Sequence, residues 1–223
     1  LPHIRSIIAY NTESKVIETM RPNGVFMAQI TPRGGVISGT SSVVQFDAWN
    51  WEDAVLKTDD GVHMNWPNSF RPTSWSFGGV GNFKPNKNYQ KNIDHIKKYI
   101  TNAKTYLTGK KETKILPYEA LQGILNGTQK MFVHVNGQKS ITDAINTLKK
   151  LGINNIVIVK GQEAEKVADL LKANNIPVIL ERAHRLPGGE DEDYDLPFRS
   201  AKILSDAGIL VGLGMEGDME RMN

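Results

Sequence analysis

Between Met131 and Asp218 the chain repeats one pattern four times: a short apolar run, a polar residue at its end, and then, after the first three, an amphipathic helical stretch. The runs are MFVHVN (131–136), NIVIVKG (155–161), IPVILERAH (176–184) and ILVGLGMEGD (209–218). Short apolar strands alternating with helices bury both faces of a parallel sheet, so the pattern predicts an α/β fold. In such folds chemistry gathers at the carboxyl ends of the strands. Those ends carry His134, Lys160, Glu181 with His184, and Glu216 with Asp218.

The rest of the chain is read around this repeat. Asn11 or Thr12 is positioned to cap a helix through Val16, Ile17 and Met20 that ends at Pro22-Asn23-Gly24. A strand is expected at 25–30, and another at 61–67. Between them TPRGGVISGTSSVVQFDAWNWEDA reads as a glycine-rich loop with a short hairpin, Val36–Ile37 against Val43–Phe46. Residues 68–86, rich in Pro, Gly, Asn and Ser, read as a long loop. Tyr89, Ile93, Ile96, Ile100, Ala103 and Leu107 share one helical face. Pro117 opens a helix PYEALQGILNG that Gly127 closes, and Ser140 is expected to cap the helix of Ile141, Ala144, Ile145 and Leu148, which ends at Gly152. Val167, Leu170 and Leu171 predict the next helix. Phe198, Ala201, Leu204 and Ala207 predict the last. Six strands result, whereas a closed barrel needs about eight. An open doubly wound sheet fits the same pattern.

Composition excludes several classes. The net charge is only +3 and the lysines are dispersed, so nucleic acid is not an expected partner. No apolar run approaches the roughly 20 residues of a membrane span. The absence of cysteine rules out disulfides, a Cys nucleophile and thiolate metal sites. It fits the cytoplasm or a bacterial periplasm equally, and leaves localisation open. GGVISGTS has Thr40 where a phosphate loop needs Lys, and GGVG (78–81) does not follow a clear strand, so nucleotide binding is a weak third reading.

Each polar strand end has a chemical and a structural reading. His134 can ligate Zn²⁺ through one ring nitrogen, or be a hydrogen-bonded structural residue. Lys160 ends an apolar strand and must reach solvent or a carboxylate, and an ion pair with Glu181 is the preferred reading. Arg182, His184 and Arg185 form a dense polar end suited to an anionic substrate group, or a solvated loop. Glu216 and Asp218 can serve as general base or metal ligand, or as capping residues.

The run QITPRGGVISGTSSVVQFDAWNWEDA, then GVHMNWP, FVHVNG with its helix, IPVILERAHRLP and DAGILVGLGMEGD together resemble the amidohydrolase superfamily, in its imidazolonepropionase-related branch of metal-dependent hydrolases. The resemblance covers essentially the whole chain, and RGGVISGTSSVVQFDAWNWEDA is its most distinctive part. It implies a (β/α)8 TIM-like barrel with one or two divalent metals, zinc first, and a metal-activated water that attacks a C–N carbonyl carbon of a small-molecule substrate. It implies His134 as a metal ligand, and Lys160 where the next strand ordinarily bears a ligating His. It implies Glu216 in the position of the acid–base Asp, with Asp218 close behind. The first-strand HxH is absent from residues 1–223. The expectation is therefore a single, incomplete barrel domain over 1–223, with regular βα repeats at 131–218, taken from a longer chain. Such a barrel exposes strand edges, so self-association or a rearranged N-terminal region is expected. The alternative is a catalytically degenerate barrel that binds a small molecule or a partner.

Overall fold

The computed structural model describes residues 1–72, 83–110, 113–181 and 192–214. Their strands are β1 (Met27–Ile30), β2 (Ile37–Gln45), β3 (Val55–Asn65), β4 (Phe70–Pro72), β5 (Phe83–Pro85), β6 (Lys130–Val135), β7 (Ile156–Lys160), β8 (Val178–Leu180) and β9 (Val211–Leu213). The α-helices are α1 (Lys15–Met20), α2 (Trp51–Ala54), α3 (Tyr89–Thr108), α4 (Leu116–Glu119), α5 (Gln122–Leu125), α6 (Gln138–Lys150), α7 (Ala168–Ala173) and α8 (Leu196–Asp206). Among the described residues no helix is long and apolar enough to cross a membrane. The chain divides into two compact units: Leu1–Asn65 with Ile96–Phe132 and Leu151–Asn155, and Trp66–His95 with Val133–Lys150 and Ile156–Asn223.

In the first unit β1, β2 and β3 form an antiparallel meander, followed in sheet order by β6. The register runs from Met27 opposite Gln45 to Ile30 opposite Ser42, and from Ile37 opposite Met64 to Val44 opposite Val55, with bulges along the second pairing. Here the expected loop-and-hairpin is replaced by the single long strand β2. Its hydroxyls look like loop chemistry in sequence, yet they are buried and paired. Ser41 Oγ donates to Gly61 O at 3.1 Å, Ser42 Oγ accepts from Asp59 N at 3.2 Å, and Ser38 Oγ accepts from Asn65 Nδ2 at 3.1 Å. A buried hydroxyl costs little once it is hydrogen-bonded, and adjacent strands supply the partners. Gly39, at φ +138°, lies so close to the chain before it that a Cβ would sit 2.4 Å from Ile4 O. Ile7, Val44 and Ala54 are buried together, with Tyr10, Ile30 and Phe46 packed against them.

Two helical expectations in this unit change. Helix α1 starts after Ser14 with no side-chain cap, not after Asn11 or Thr12, although Gly24 ends the segment in a left-handed turn as expected. The stretch from Leu116 breaks into α4 and α5, each one turn long, and Leu121 and Ile124, three apart, are both buried.

In the second unit the sheet order is β6-β7-β8-β9, and the β7–β8 and β8–β9 pairs are parallel. Ile158, Val159 and Lys160 lie opposite Val178, Ile179 and Leu180, which in turn lie opposite Val211, Gly212 and Leu213. These strands are shorter than the apolar runs suggest. A separate antiparallel pair, β4 with β5, occupies the ends of the predicted long loop. Residues between them lie outside the described residues. Helix α6 buries Ile141, Ala144, Ile145 and Leu148, as its periodicity predicts. Helix α8 buries Pro197, Ser200 and Leu204, so the predicted face is rotated by one position, and Phe198 is 55% exposed. Taken together the described chain is a mixed α/β fold, with the larger sheet antiparallel over β1–β3 and parallel over β7–β9.

Candidate functional site

The carboxyl ends of β6, β7 and β8 in the second unit bring together the polar residues that the apolar runs lead to. On β6, Val133 and Val135 are buried on one face, and His134, on the other face with the buried Phe132, is half-buried. The carbonyl of His134 accepts from Trp66 N at 3.1 Å. Trp66 is itself fixed: its Nε1 donates to Tyr89 Oη at 3.3 Å, and Tyr89 Oη donates to Asp143 Oδ2 at 2.9 Å. Burial first, and the Asp143 carboxylate with it, holds the Tyr89 hydroxyl above its usual range, so it remains a donor.

Asn136 follows β6. Its Oδ1 is buried and has no hydrogen-bond partner, while its carbonyl accepts from Glu163 N at 3.1 Å. Glu163 Oε2 accepts from Gln138 N at 2.6 Å. The α6 N-terminus is therefore capped by a carboxylate from the loop after β7, favoured by the helix dipole. The expected cap, Ser140, lies inside α6, buried, with its Oγ hydrogen-bonded to Ser69 N at 3.2 Å. A stronger anionic acceptor from a distant segment took the capping role.

At the end of β7, Lys160 has φ +80° and Gly161 φ +54°. The left-handed region costs a non-glycine residue about 1–2 kcal/mol. Lys160 Nζ lies 3.4 Å from Glu181 Oε1, with the two side chains 30% and 24% exposed, so the expected pairing is present. An ion pair this open contributes at most about 1 kcal/mol. It offsets the backbone strain only in part, and strain of this kind concentrates at functional positions.

Two residues here differ in how far the sequence announces them. Asn136 is a polar strand-end residue before glycine and was legible at that level. Glu165, in the 3-10 segment Ala164–Val167, reads as one more charge on an amphipathic helix, yet both of its carboxylate oxygens are buried without a hydrogen-bond partner.

Of the residues singled out in the sequence, His134, Lys160 and Glu181 are described. Arg182, His184, Arg185, Glu216 and Asp218 lie outside the described residues. Among the described residues no three His, Cys, Asp or Glu side chains converge. Lys160, an ammonium without a lone pair, stands on the strand after His134. The described residues alone therefore do not fit a metal ion. What they do place at the strand ends is an imidazole, a buried amide oxygen and an ammonium–carboxylate pair.

Neither a protein-family model nor a curated protein matches the sequence. Among solved structures, the crystal structure of an amidohydrolase from Thermotoga maritima MSB8 aligns with a TM-score of 0.75 at 22% identity. The match covers 96% of this chain and 56% of that one, so the chain spans a little over half the length of its structural neighbour. At this identity the likeness is one of fold, and the mixed α/β fold of this chain is amidohydrolase-like.

Proposed function

We propose that this chain is the barrel portion of an amidohydrolase-like hydrolase that cleaves a carbon–nitrogen bond in a cyclic amide or peptide-like small molecule. The observation that carries the reading is the gathering of His134, Asn136 and the Lys160–Glu181 pair at strand carboxyl ends on an amidohydrolase-like fold. In this reading the full fold is a (β/α)8 barrel of the imidazolonepropionase-related kind. Arg182, His184 and Arg185 hold the substrate, and Glu216 or Asp218 moves the proton. A divalent metal, zinc by its preference for imidazole, belongs to it if Glu216 or Asp218 extends the ligand set that His134 begins. Metal analysis and a hydrolysis screen on cyclic amides and dipeptides, run on the full-length protein, test it. Turnover that His134→Ala abolishes supports the reading, and no turnover with no stoichiometric metal rejects it.

One observation favours a second reading. The Lys160–Glu181 ion pair holds the position that the resemblance assigns to a ligating His. A barrel that binds a small molecule or a partner without reacting would tolerate that exchange. Saturable ligand binding with no turnover would select it.

A further inference from the structure

Glu165 belongs to the segment Ala164–Val167 that leads from the carboxyl end of β7 into α7. The segment packs against α6, α7 and α8, and the residues that these helices bury are uncharged. Both Glu165 oxygens are buried there without a hydrogen-bond partner among the described residues. An ionised carboxylate in such a place loses its hydration and gains no donor in return, so the neutral acid is the form that fits.

Among the described residues the nearby charges do not rescue the anion. Lys166 is adjacent but donates to Glu163 Oε1 at 2.7 Å, and Glu163 and Glu192 both repel a charge on Glu165. On α6 and α7 the charged side chains Lys139, Asp143, Lys149, Lys150, Asp169 and Lys172 occupy half-buried or exposed positions. On α8, Arg199 and Lys202 are engaged by Asp193, Asp195 and Asp206. Burial foremost, then Glu163 and Glu192, raises the Glu165 carboxyl above the ordinary carboxylate value. Its own backbone N–H, outside hydrogen-bonding geometry, and Lys166 act in the opposite direction.

The same segment ties down the strand ends. Glu163, two residues before Glu165, donates its N–H to Asn136 O and caps α6 at Gln138 N. We propose that Glu165 is a protonation switch. As the neutral acid it lets Ala164–Val167 pack against α6, α7 and α8. Ionisation loosens that packing, and with it the chain after β6 and β7 that forms the strand-end rim. The proposal does not depend on whether the rim catalyses or only binds.

The direction with pH follows. A native carboxyl raised above its unfolded value stabilises the fold fully below the unfolded value. That contribution is lost as pH rises from the unfolded to the native value. The test compares the full-length wild type with Glu165→Gln, which keeps the shape and cannot ionise. Thermal unfolding is followed from acid to neutral pH, with amide hydrogen exchange over residues 160–172 and 136–140. The expected result is that Glu165→Gln gains about 2–4 °C in Tm over wild type at neutral pH, a gain that vanishes in acid. Exchange over those residues should quicken with pH in wild type alone. Parallel Tm profiles, or a Glu165→Gln that loses stability at neutral pH, overturn the proposal. Should that variant fail to fold, carbon-13 titration of Glu165 in wild type decides: an ordinary carboxylate titration, without altered exchange, overturns it equally.

Discussion

Strand β2 and the segments that follow β6 and β7 bury polar atoms in opposite ways. In the first unit the hydroxyls of Ser38, Ser41 and Ser42 are each paired with a neighbouring strand. In the second, Asn136 Oδ1 and both oxygens of Glu165 are buried without a partner, and Lys160 holds a left-handed backbone at a strand end. A satisfied buried polar group is part of the architecture. An unsatisfied one costs roughly 1–3 kcal/mol, and it persists where something besides stability keeps it. The comparison therefore separates a β2 whose polarity is structural from strand ends whose polarity calls for a ligand, a proton or a reaction.

Three substitutions sharpen that contrast beyond the experiments already described. The largest effect is expected at Gly39→Ala, where the new Cβ would meet Ile4 O at 2.4 Å in a backbone already at φ +138°. A loss of about 3 kcal/mol or more in chemical denaturation is expected. A neutral result would show that the start of the chain does not hold β2 in place. Next, Ser41→Ala should cost about 1–2 kcal/mol, since it leaves the buried Gly61 carbonyl short of a donor. If it costs nothing, the β2 hydroxyls are no more structural than the orphans after β6 and β7. The smallest effect is at the strand end. Lys160→Gly should be more stable than Lys160→Ala by about 1 kcal/mol, the reverse of the usual order in a strand, because only glycine takes φ +80° freely. Equal stabilities would remove the argument that strain is stored there.

The apolar runs of 131–213 were legible because a parallel strand needs side chains that can be buried on both faces, and few local sequences meet that need. The faces of α3 and α6 were legible for a related reason, since Ile93, Ile96, Ile100, Ile141, Ile145 and Leu148 repeat at the helical period and are all buried. The Lys160–Glu181 pair was legible because an ammonium ending an apolar strand has few ways to avoid an unpaired burial. Strand β2 was not legible. Gly34, Gly35 and Gly39 with Ser38, Thr40, Ser41 and Ser42 have the composition of a loop, and only the strands beside them turn it into core. The local pattern points to Ser140 as the α6 cap, whereas the distant Glu163 carboxylate competes better.

The sequence by itself therefore determined the α/β class, the places where strands end in polar residues, and the buried faces of the longer helices. These depend on periodicity and on side chains close together in the chain. Tertiary structure alone decided that β2 is core, that Glu163 caps a helix starting 25 residues before it, and that Glu165 has no partner. The physical reason is the same in each case. Whether a polar group is satisfied depends on donors and acceptors brought in from remote segments, and the residue's own neighbours in sequence carry no record of them.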